Sequence, residues 1–198
     1  MGDHFGAMGI QSVLFVQGAG DMHDPQGSIA LVRYLERELG DGYLVVAPEM
    51  PDPENPRYEQ WREAIVRELA DLDDPVLLVG HSLGGSVLLK LLAESRIDRP
   101  IGGLFLASVP WWGPEGWDYD EFAVADDVGS RLPAVPIFLY HSEDDPEVPF
   151  EHVRLHADRL PGATVRPIRG SQHSFLDGLP ELVADIRRQS RAEPASPG

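Results

Sequence analysis

The sequence predicts an α/β fold, a three-layer α/β/α sandwich in which about six parallel strands lie between two layers of helices. Strand-like and helical segments alternate along the chain without internal repeats, which is the pattern of such a sheet. The chain has 198 residues, enough for one domain that buries roughly 70% of its extended-chain surface. It has no cysteine, so disulfides cannot stabilise it and an ordinary apolar core must do so.

The predicted strands are short apolar runs, and the predicted helices are longer segments with one apolar face. We expect strands near 12–17, 43–47, 75–80, 103–109, 136–141 and 163–168. We expect helices near 26–39, 57–71, 84–95, 147–160 and 178–190. In the first helix, Leu31, Leu35 and Leu39 share one face, and Gly40 ends the helix.

The composition argues against nucleic acid and membranes as partners. The formal net charge is −17 and Lys90 is the only lysine, whereas phosphate contacts need clustered basic residues. No run approaches the ~20 apolar residues of a membrane span, and residues 1–9 lack the features of a signal peptide. We therefore expect a cytoplasmic monomer or homodimer with a single domain at 10–190 and flexible tails at 1–9 and 191–198.

Residues 80–84, with the sequence Gly-His-Ser-Leu-Gly, lie between a strand-like run at 76–79 and a helical run at 86–93. A Gly-x-Ser-x-Gly pattern with these flanks is typical of a nucleophile elbow, a strained turn that exposes its serine. We predict Ser82 as the nucleophile. The backbone N–H of Leu83 begins the helix without an intrahelical partner, so we predict it as one oxyanion donor. The alternative is a glycine-rich loop that matches the pattern by chance.

A serine nucleophile needs a base and an orienting acid, which follow this elbow in the order Asp or Glu, then His. Asp145 comes after the strand-like run 137–141, at the strand end where ligands bind in open α/β sheets, and we predict it as the acid. Asp144 and Glu143 are alternatives that could equally be solvated carboxylates at a helix start. His173 follows a strand-like run and precedes the last helix, so we predict it as the general base.

The other histidines have ordinary explanations. His152 and His156 are four residues apart on a predicted helix, a spacing that can bind zinc, but the glutamate of a zinc-protease helix is missing between them. We therefore expect a solvated helix face there and no metal site. His81 is interpreted as a strand-end neighbour of the nucleophile. The remaining three are expected at surface or loop positions: His4, His23 and His141.

The loop at 17–20, Gln-Gly-Ala-Gly, follows a strand-like run at 12–16 and can supply the second oxyanion donor. We favour the backbone N–H of Ala19, with that of Gly18 next. The alternative is a turn that uses glycine for its shape alone.

Aromatic residues are concentrated between 110 and 132. They are Trp111, Trp112, Trp117, Tyr119 and Phe122. The tryptophans in particular could line a substrate pocket beside the nucleophile, or all five rings could simply cover the strand ends. The segment is too short for a multi-helix cap, so we expect an open, shallow site.

Besides the elbow, three segments of the sequence resemble those of a known family. They are Met-Pro-Asp-Pro at 50–53, the acid loop at 142–149 and Gln-His-Ser-Phe at 172–175. Together they make the sequence similar to the compact α/β-hydrolase-fold serine hydrolases related to retinoblastoma-binding protein nine and the bacterial YdeN-like proteins. The relatives have glycine where this chain has Gln172. Their Leu-x-Cys-x-Glu motif is absent from this cysteine-free chain, so pocket-protein binding is not expected.

The resemblance implies a small hydrolase with a Ser82, Asp145 and His173 triad and no metal or organic cofactor. It also implies a trimmed α/β-hydrolase fold, because too few residues precede the first strand to form the antiparallel hairpin that usually begins it.

The expected activity is hydrolysis of small or short-acyl carboxylic esters through an acyl-enzyme. Thioester, amide and acyl-transfer substrates would follow the same path. The rival hypothesis is a catalytically quiet protein that uses the pocket to hold a ligand or partner, since a fold does not prove turnover.

Overall fold

The structure is a computed structural model that describes residues 10–113 and 115–191. The described residues form six strands, β1 to β6, at Gln11–Val16, Tyr43–Val46, Val76–His81, Ile101–Ala107, Ile137–Ser142 and Thr164–Ile168. They also form six α-helices, α1 to α6, at Ile29–Leu39, Tyr58–Ala70, Leu83–Glu94, Val128–Arg131, Glu151–Arg159 and Pro180–Arg191. The predicted tails lie outside the described residues, except that Arg191 is the last residue of α6.

The six strands make one parallel sheet in the order β2-β1-β3-β4-β5-β6, which confirms the predicted fold class. The predicted strand near 103–109 lies two residues earlier, at Ile101–Ala107. From β1 the chain goes first to β2 on one side and then to β3 on the other. In open α/β sheets this change of direction creates a crevice beyond the carboxyl ends of the strands.

Alternate residues of each strand enter different cores, because successive side chains point to opposite faces of a sheet. Val13 and Phe15 pack in the core beneath α1 and α6. Leu14 and Val16 pack in the core beneath α2, α3 and α5. Both faces of the sheet are therefore covered, and its carboxyl edge is left for the loops that carry the candidate site.

Helices α1 and α3 differ in how much of their surface is buried, because only α3 is surrounded by protein on most sides. Helix α1 buries one face, and its end is fixed by Gly40, which has a left-handed φ of 72° and donates its N–H to Glu36 O at 3.2 Å. Helix α3 is buried around most of its circumference, including the small residues of its first turn, Gly84 to Ser86. This position inside the protein holds the start of α3 firmly against the sheet.

The segment from 110 to 132 contains two short elements that the sequence did not predict. They are one turn of 3₁₀-helix at Asp120–Phe122 and α4 at Val128–Arg131. No longer helix occurs among the described residues of this segment, and Ser82 keeps part of its surface exposed. The expectation of an uncapped site agrees with this arrangement.

The outer strands of the sheet are short. Strand β2 has four residues, and β6 has five, one of which is Pro167, which has no backbone N–H. Among the helices of the described residues, none combines the length and apolar character needed to cross a membrane.

Candidate active site

Ser82 occupies the sharp turn between β3 and α3. Its backbone has a left-handed φ of 51° and a ψ of −124°. The neighbouring glycines allow this turn, because a Cβ at Gly80 would overlap the Cα of Gly85. A Cβ at Gly84 would overlap the carbonyl oxygens of Val16 and Gln17. The local geometry is that of a nucleophile elbow, as the glycine spacing predicted.

The predicted base and acid are in direct contact. His173 Nδ1 donates a hydrogen bond to Asp145 Oδ2 at 2.9 Å. Asp145 Oδ1 accepts two more bonds, from the backbone N–H groups of Glu147 and Val148, each at 2.9 Å. Burial raises the pKa of the Asp145 carboxyl, but the His173 contact and the two N–H groups outweigh it and hold that pKa at about 2. The carboxylate therefore stays ionised and keeps the ring hydrogen on Nδ1.

The two alternative acids point elsewhere. Asp144 Oδ1 accepts from Ser142 Oγ at 2.5 Å and from the N–H of Gln172 at 3.3 Å, and its side chain belongs to an exposed residue. Glu143 lies at the surface, 3.5 Å from Arg169 Nε. Asp144 thus supports the loop before the histidine, and of the three candidate acids it is Asp145 that is hydrogen-bonded to the imidazole.

Ser82 and His173 line the same cavity, which has a volume of about 280 Å³. No hydrogen bond joins Ser82 Oγ to His173 Nε2 in the part of the chain that the structure describes. The structure therefore places Asp145 and His173 in contact and brings Ser82 to the same cavity. The roles of the three residues stay predictions.

The two predicted oxyanion donors also border this cavity. Ala19 and Leu83 both line it, and neither backbone N–H has an acceptor within residues 10–113 and 115–191. The alternative donor is occupied, because the N–H of Gly18 donates to Ser28 Oγ at 2.9 Å. Gln17 stabilises the loop, since its side-chain amide donates to Gly20 O and accepts from the N–H of Met50, each at 3.0 Å.

Four aromatic residues form one apolar wall of the cavity: Trp112, Trp117, Tyr119 and Phe122. The expectation that Trp111 also lines the pocket is wrong. Its indole is buried on the other side of the segment, against the ring of His156 at 5.2 Å and under the guanidinium of Arg159 at 4.7 Å. Adjacent residues of an extended segment point to opposite sides, so Trp112 reaches the cavity and Trp111 does not.

The histidine pair on α5 is buried, not solvated as predicted. His152 Nδ1 accepts from the N–H of Trp111 at 2.8 Å, and His156 Nε2 donates to Pro110 O at 3.2 Å. The pair therefore holds the start of the aromatic segment. His141, expected at the surface or in a loop, is buried at the end of β5 and donates to Val148 O at 2.8 Å. His4 lies outside the described residues.

Sequence reasoning missed two features of this site, a carboxylate beside the histidine and a buried pair of hydrogen-bonded side chains. Glu147 lines the cavity, and its carboxylate lies 3.8 Å from His173 Nε2. Ser28 and His81 lie at its base and are hydrogen-bonded to each other. Ser28 belongs to no motif. His81 stands inside the elbow pattern, but at a position that the pattern leaves open.

A larger cavity, of about 410 Å³, lies at the other end of α3, around Leu92, Ser95 and Arg96. None of the predicted site residues lines it. We therefore assign the candidate site to the smaller cavity at the carboxyl edge of the sheet.

The protein has the α/β-hydrolase fold, as comparison with solved structures shows. The YdeN protein of Bacillus subtilis superimposes with a TM-score of 0.73 at 21% identity, over 90% of this chain and 98% of that one. A YdeN-like hydrolase from Pectobacterium atrosepticum gives 0.68 at 18% identity, over 91% of each chain. Est1E from Butyrivibrio proteoclasticus gives 0.68 at 17% identity, over 94% of this chain and 90% of that one.

The chain belongs to the serine hydrolase family, whose model matches residues 32–175. It is also 33% identical over 73 residues to the putative hydrolase YdeN of Bacillus subtilis strain 168. That aligned segment spans 37% of this chain and 38% of the relative, so it covers well under two thirds of the relative's length. The predicted resemblance to YdeN-like hydrolases is confirmed.

Proposed function

We propose that the protein hydrolyses small or short-acyl carboxylic esters through an acyl-enzyme formed on Ser82. His173 takes the hydroxyl proton as the serine attacks the ester carbonyl, and Asp145 keeps the imidazole in the required tautomer. The N–H groups of Leu83 and Ala19 bind the oxyanion. His173 then gives the proton to the leaving alcohol, and water repeats the sequence to release the acid.

The observation that carries the proposal is the bond from His173 Nδ1 to Asp145 at 2.9 Å, beside the cavity that holds Ser82. With the ring hydrogen on Nδ1, the lone pair on Nε2 is available as a base. Such a base typically contributes ~10²–10⁴-fold in rate, and one oxyanion donor ~10²–10³-fold.

The size and walls of the cavity support small esters as substrates. Its volume of about 280 Å³ suits a short acyl group, and its aromatic wall offers an apolar surface. The described part of the segment at 110–132 adds no helical cap that would enclose a long acyl chain. Thioesters and amides would use the same groups, so a substrate series has to separate these three classes.

Labelling with a fluorophosphonate tests the proposal against the alternative of a quiet binding protein. An active serine is phosphonylated covalently, so we expect labelling of the wild type and of Ser130→Ala, a change on α4, but not of Ser82→Ala. Hydrolysis of nitrophenyl esters from acetate to dodecanoate then measures chain preference, which we expect to favour the short acyl groups. An unlabelled wild type would favour the binding protein, and a preference for dodecanoate would contradict the proposed substrate class.

A further inference from the structure

We infer that Ser28 and His81 are positioning residues for the proposed reaction. Together they form a buried hydrogen-bonded link, here called the Ser28–His81 bridge, that fixes the oxyanion loop and the base relative to the nucleophile. The inference rests on the proposed function, because it concerns the placement of the groups named there.

The bridge connects three separate loops. Both side chains are only 3% exposed. His81 Nδ1 lies 2.9 Å from Ser28 Oγ, and His81 Nε2 lies 3.0 Å from the backbone carbonyl oxygen of His173. Ser28 Oγ also accepts the N–H of Gly18 at 2.9 Å. The three side-chain polar atoms of the bridge, Ser28 Oγ and the two ring nitrogens of His81, are therefore all paired.

The direction of each bond follows from its partners. A carbonyl oxygen only accepts, so His81 Nε2 carries a hydrogen and donates it to His173 O. Burial and the neighbouring His173 lower the pKa of His81 to about 3, so the ring is neutral and its Nδ1 is an acceptor. The Ser28 hydroxyl therefore donates to Nδ1 while its oxygen accepts from Gly18. The bonds form a single chain with one consistent direction.

The bridge is attached to the chain at three places, and each lies next to a group that the proposed reaction needs. Gly18 precedes Ala19, the proposed oxyanion donor, and His81 precedes Ser82. The third attachment is the main chain of His173, whose ring is held separately by Asp145. The N–H of Gly18 is turned toward Ser28, and the N–H of Ala19, which follows it, has no acceptor among the described residues.

Ser28 immediately precedes α1, and its backbone is helical, with a φ of −74° and a ψ of −14°. A side chain caps a helix from a non-helical backbone conformation, and the Ser28 hydroxyl makes no capping bond. The hydroxyl is therefore available for the link to His81 and Gly18.

The backbone around His173 needs such a restraint. Gln172 and Phe175 have left-handed φ values of 50° and 48°, a conformation that non-glycine residues adopt at a cost in free energy. Ser174 Oγ adds a bond to the carbonyl oxygen of Gln26, two residues before Ser28. The loop that carries the base is therefore held from the same segment that supplies the bridge.

The test compares Ser28→Ala with Ser108→Ala. Both remove a buried hydroxyl, but Ser108 Oγ has no hydrogen-bond partner among the residues that the structure describes and does not line the cavity. We expect Ser28→Ala to lower kcat per fluorophosphonate-titrated site, and the rate of labelling, between about tenfold and a hundredfold, because small misplacements of reacting groups are costly. KM should change little. Ser108→Ala should retain wild-type values.

A double-mutant cycle with His81→Asn tests whether the two residues act as one unit. The asparagine side chain is too short to reach both partners of the imidazole. If the bridge is the unit, the double variant is about as slow as either single variant. Equal kcat per titrated site in Ser28→Ala and Ser108→Ala, or losses that multiply in the double variant, would overturn the inference. If His81→Asn does not fold, the comparison of the two alanine variants decides.

These outcomes are separate from those that test the function. A wild type that neither labels nor turns over esters would refute the proposed function itself. A reactive wild type with an equally reactive Ser28→Ala would refute the bridge alone.

Discussion

Glu147 places a negative charge on the wall of the cavity. It is the only carboxylate among the described residues that line the cavity, and no lysine or arginine lines it. Its side chain is 61% exposed, and Oε2 lies 3.8 Å from His173 Nε2. In the proposed reaction this nitrogen protonates the leaving group, so the leaving group must pass close to the Glu147 carboxylate.

We predict that Glu147 favours substrates with a cationic leaving group. Acetylthiocholine and S-(3,3-dimethylbutyl) thioacetate have the same shape, but only the first carries a positive charge. We expect the wild type to prefer acetylthiocholine in kcat/KM by a few-fold, since one partly exposed charge contributes about 1 kcal/mol. The preference should weaken as salt is added.

Glu147→Gln is the matched variant, because it keeps the size and removes the charge. It should abolish the difference between the two thioesters while leaving the neutral one almost unaffected. An equal loss on both substrates would instead mean that Glu147 stabilises the protonated imidazole, and an unchanged preference would mean that it does not contribute to selectivity.

At the scale of elements, the strand-turn-helix unit around Ser82 depends on Gly84. A methyl group there would overlap the Val16 carbonyl, so β1, β3 and α3 could not keep their present spacing. We predict that Gly84→Ala lowers the free energy of unfolding by about 3 kcal/mol or more, as overpacking of rigid backbone does. Gly162→Ala is the control, because nothing lies within 4 Å of its added Cβ.

The control should be neutral or stabilising by up to about 1 kcal/mol. Urea unfolding of both variants measures the two values. A Gly84→Ala protein as stable as the Gly162→Ala protein would show that the elbow can relax more than its packing indicates.

The sequence predicted the elements well because their signals are local. The apolar runs define the strands, and the elbow glycines allow the close approach between strand and helix backbones that this turn requires. Ser82, Asp145 and His173 could be predicted to lie close together because the carboxyl ends of parallel strands meet at one edge of the sheet. The observed contact between Asp145 and His173 is what this topology leads one to expect.

What the sequence could not predict depends on side-chain direction across distant loops. Ser28 and His81 are 53 positions apart, and no spacing rule connects them. Trp111 and Trp112 are adjacent and chemically alike, and only the path of the backbone decides which one reaches the cavity. Gln172 has a left-handed φ, a conformation that favours glycine, but the glutamine itself gives no sign of it.

For the whole molecule, the buried histidines make stability sensitive to acid. Burial lowers the pKa of His156 to about 4, and within residues 10–113 and 115–191 its buried Nδ1 has no hydrogen-bond partner. Below about pH 6.5 the unfolded chain binds a proton at this residue, whereas the folded protein does not until about pH 4. Stability is therefore complete above pH ~6.5 and falls as the pH decreases through this window.

We predict that the free energy of unfolding decreases by about 1.4 kcal/mol per pH unit for each such histidine between about pH 6 and pH 5. Urea unfolding at a series of pH values measures the slope. His156→Gln should make the slope shallower by about that amount, even if the variant is less stable at neutral pH. The same slope in both proteins would mean that His156 becomes protonated in the folded state.

The outer strands of the sheet have a consequence for association between copies of the protein. An exposed strand edge is a template on which another chain can add a strand, the step that begins aggregation. The edge formed by β2 is only four residues long, and β6 carries a proline that cannot donate to a new neighbour. Self-association through a continuous intermolecular sheet is thereby discouraged.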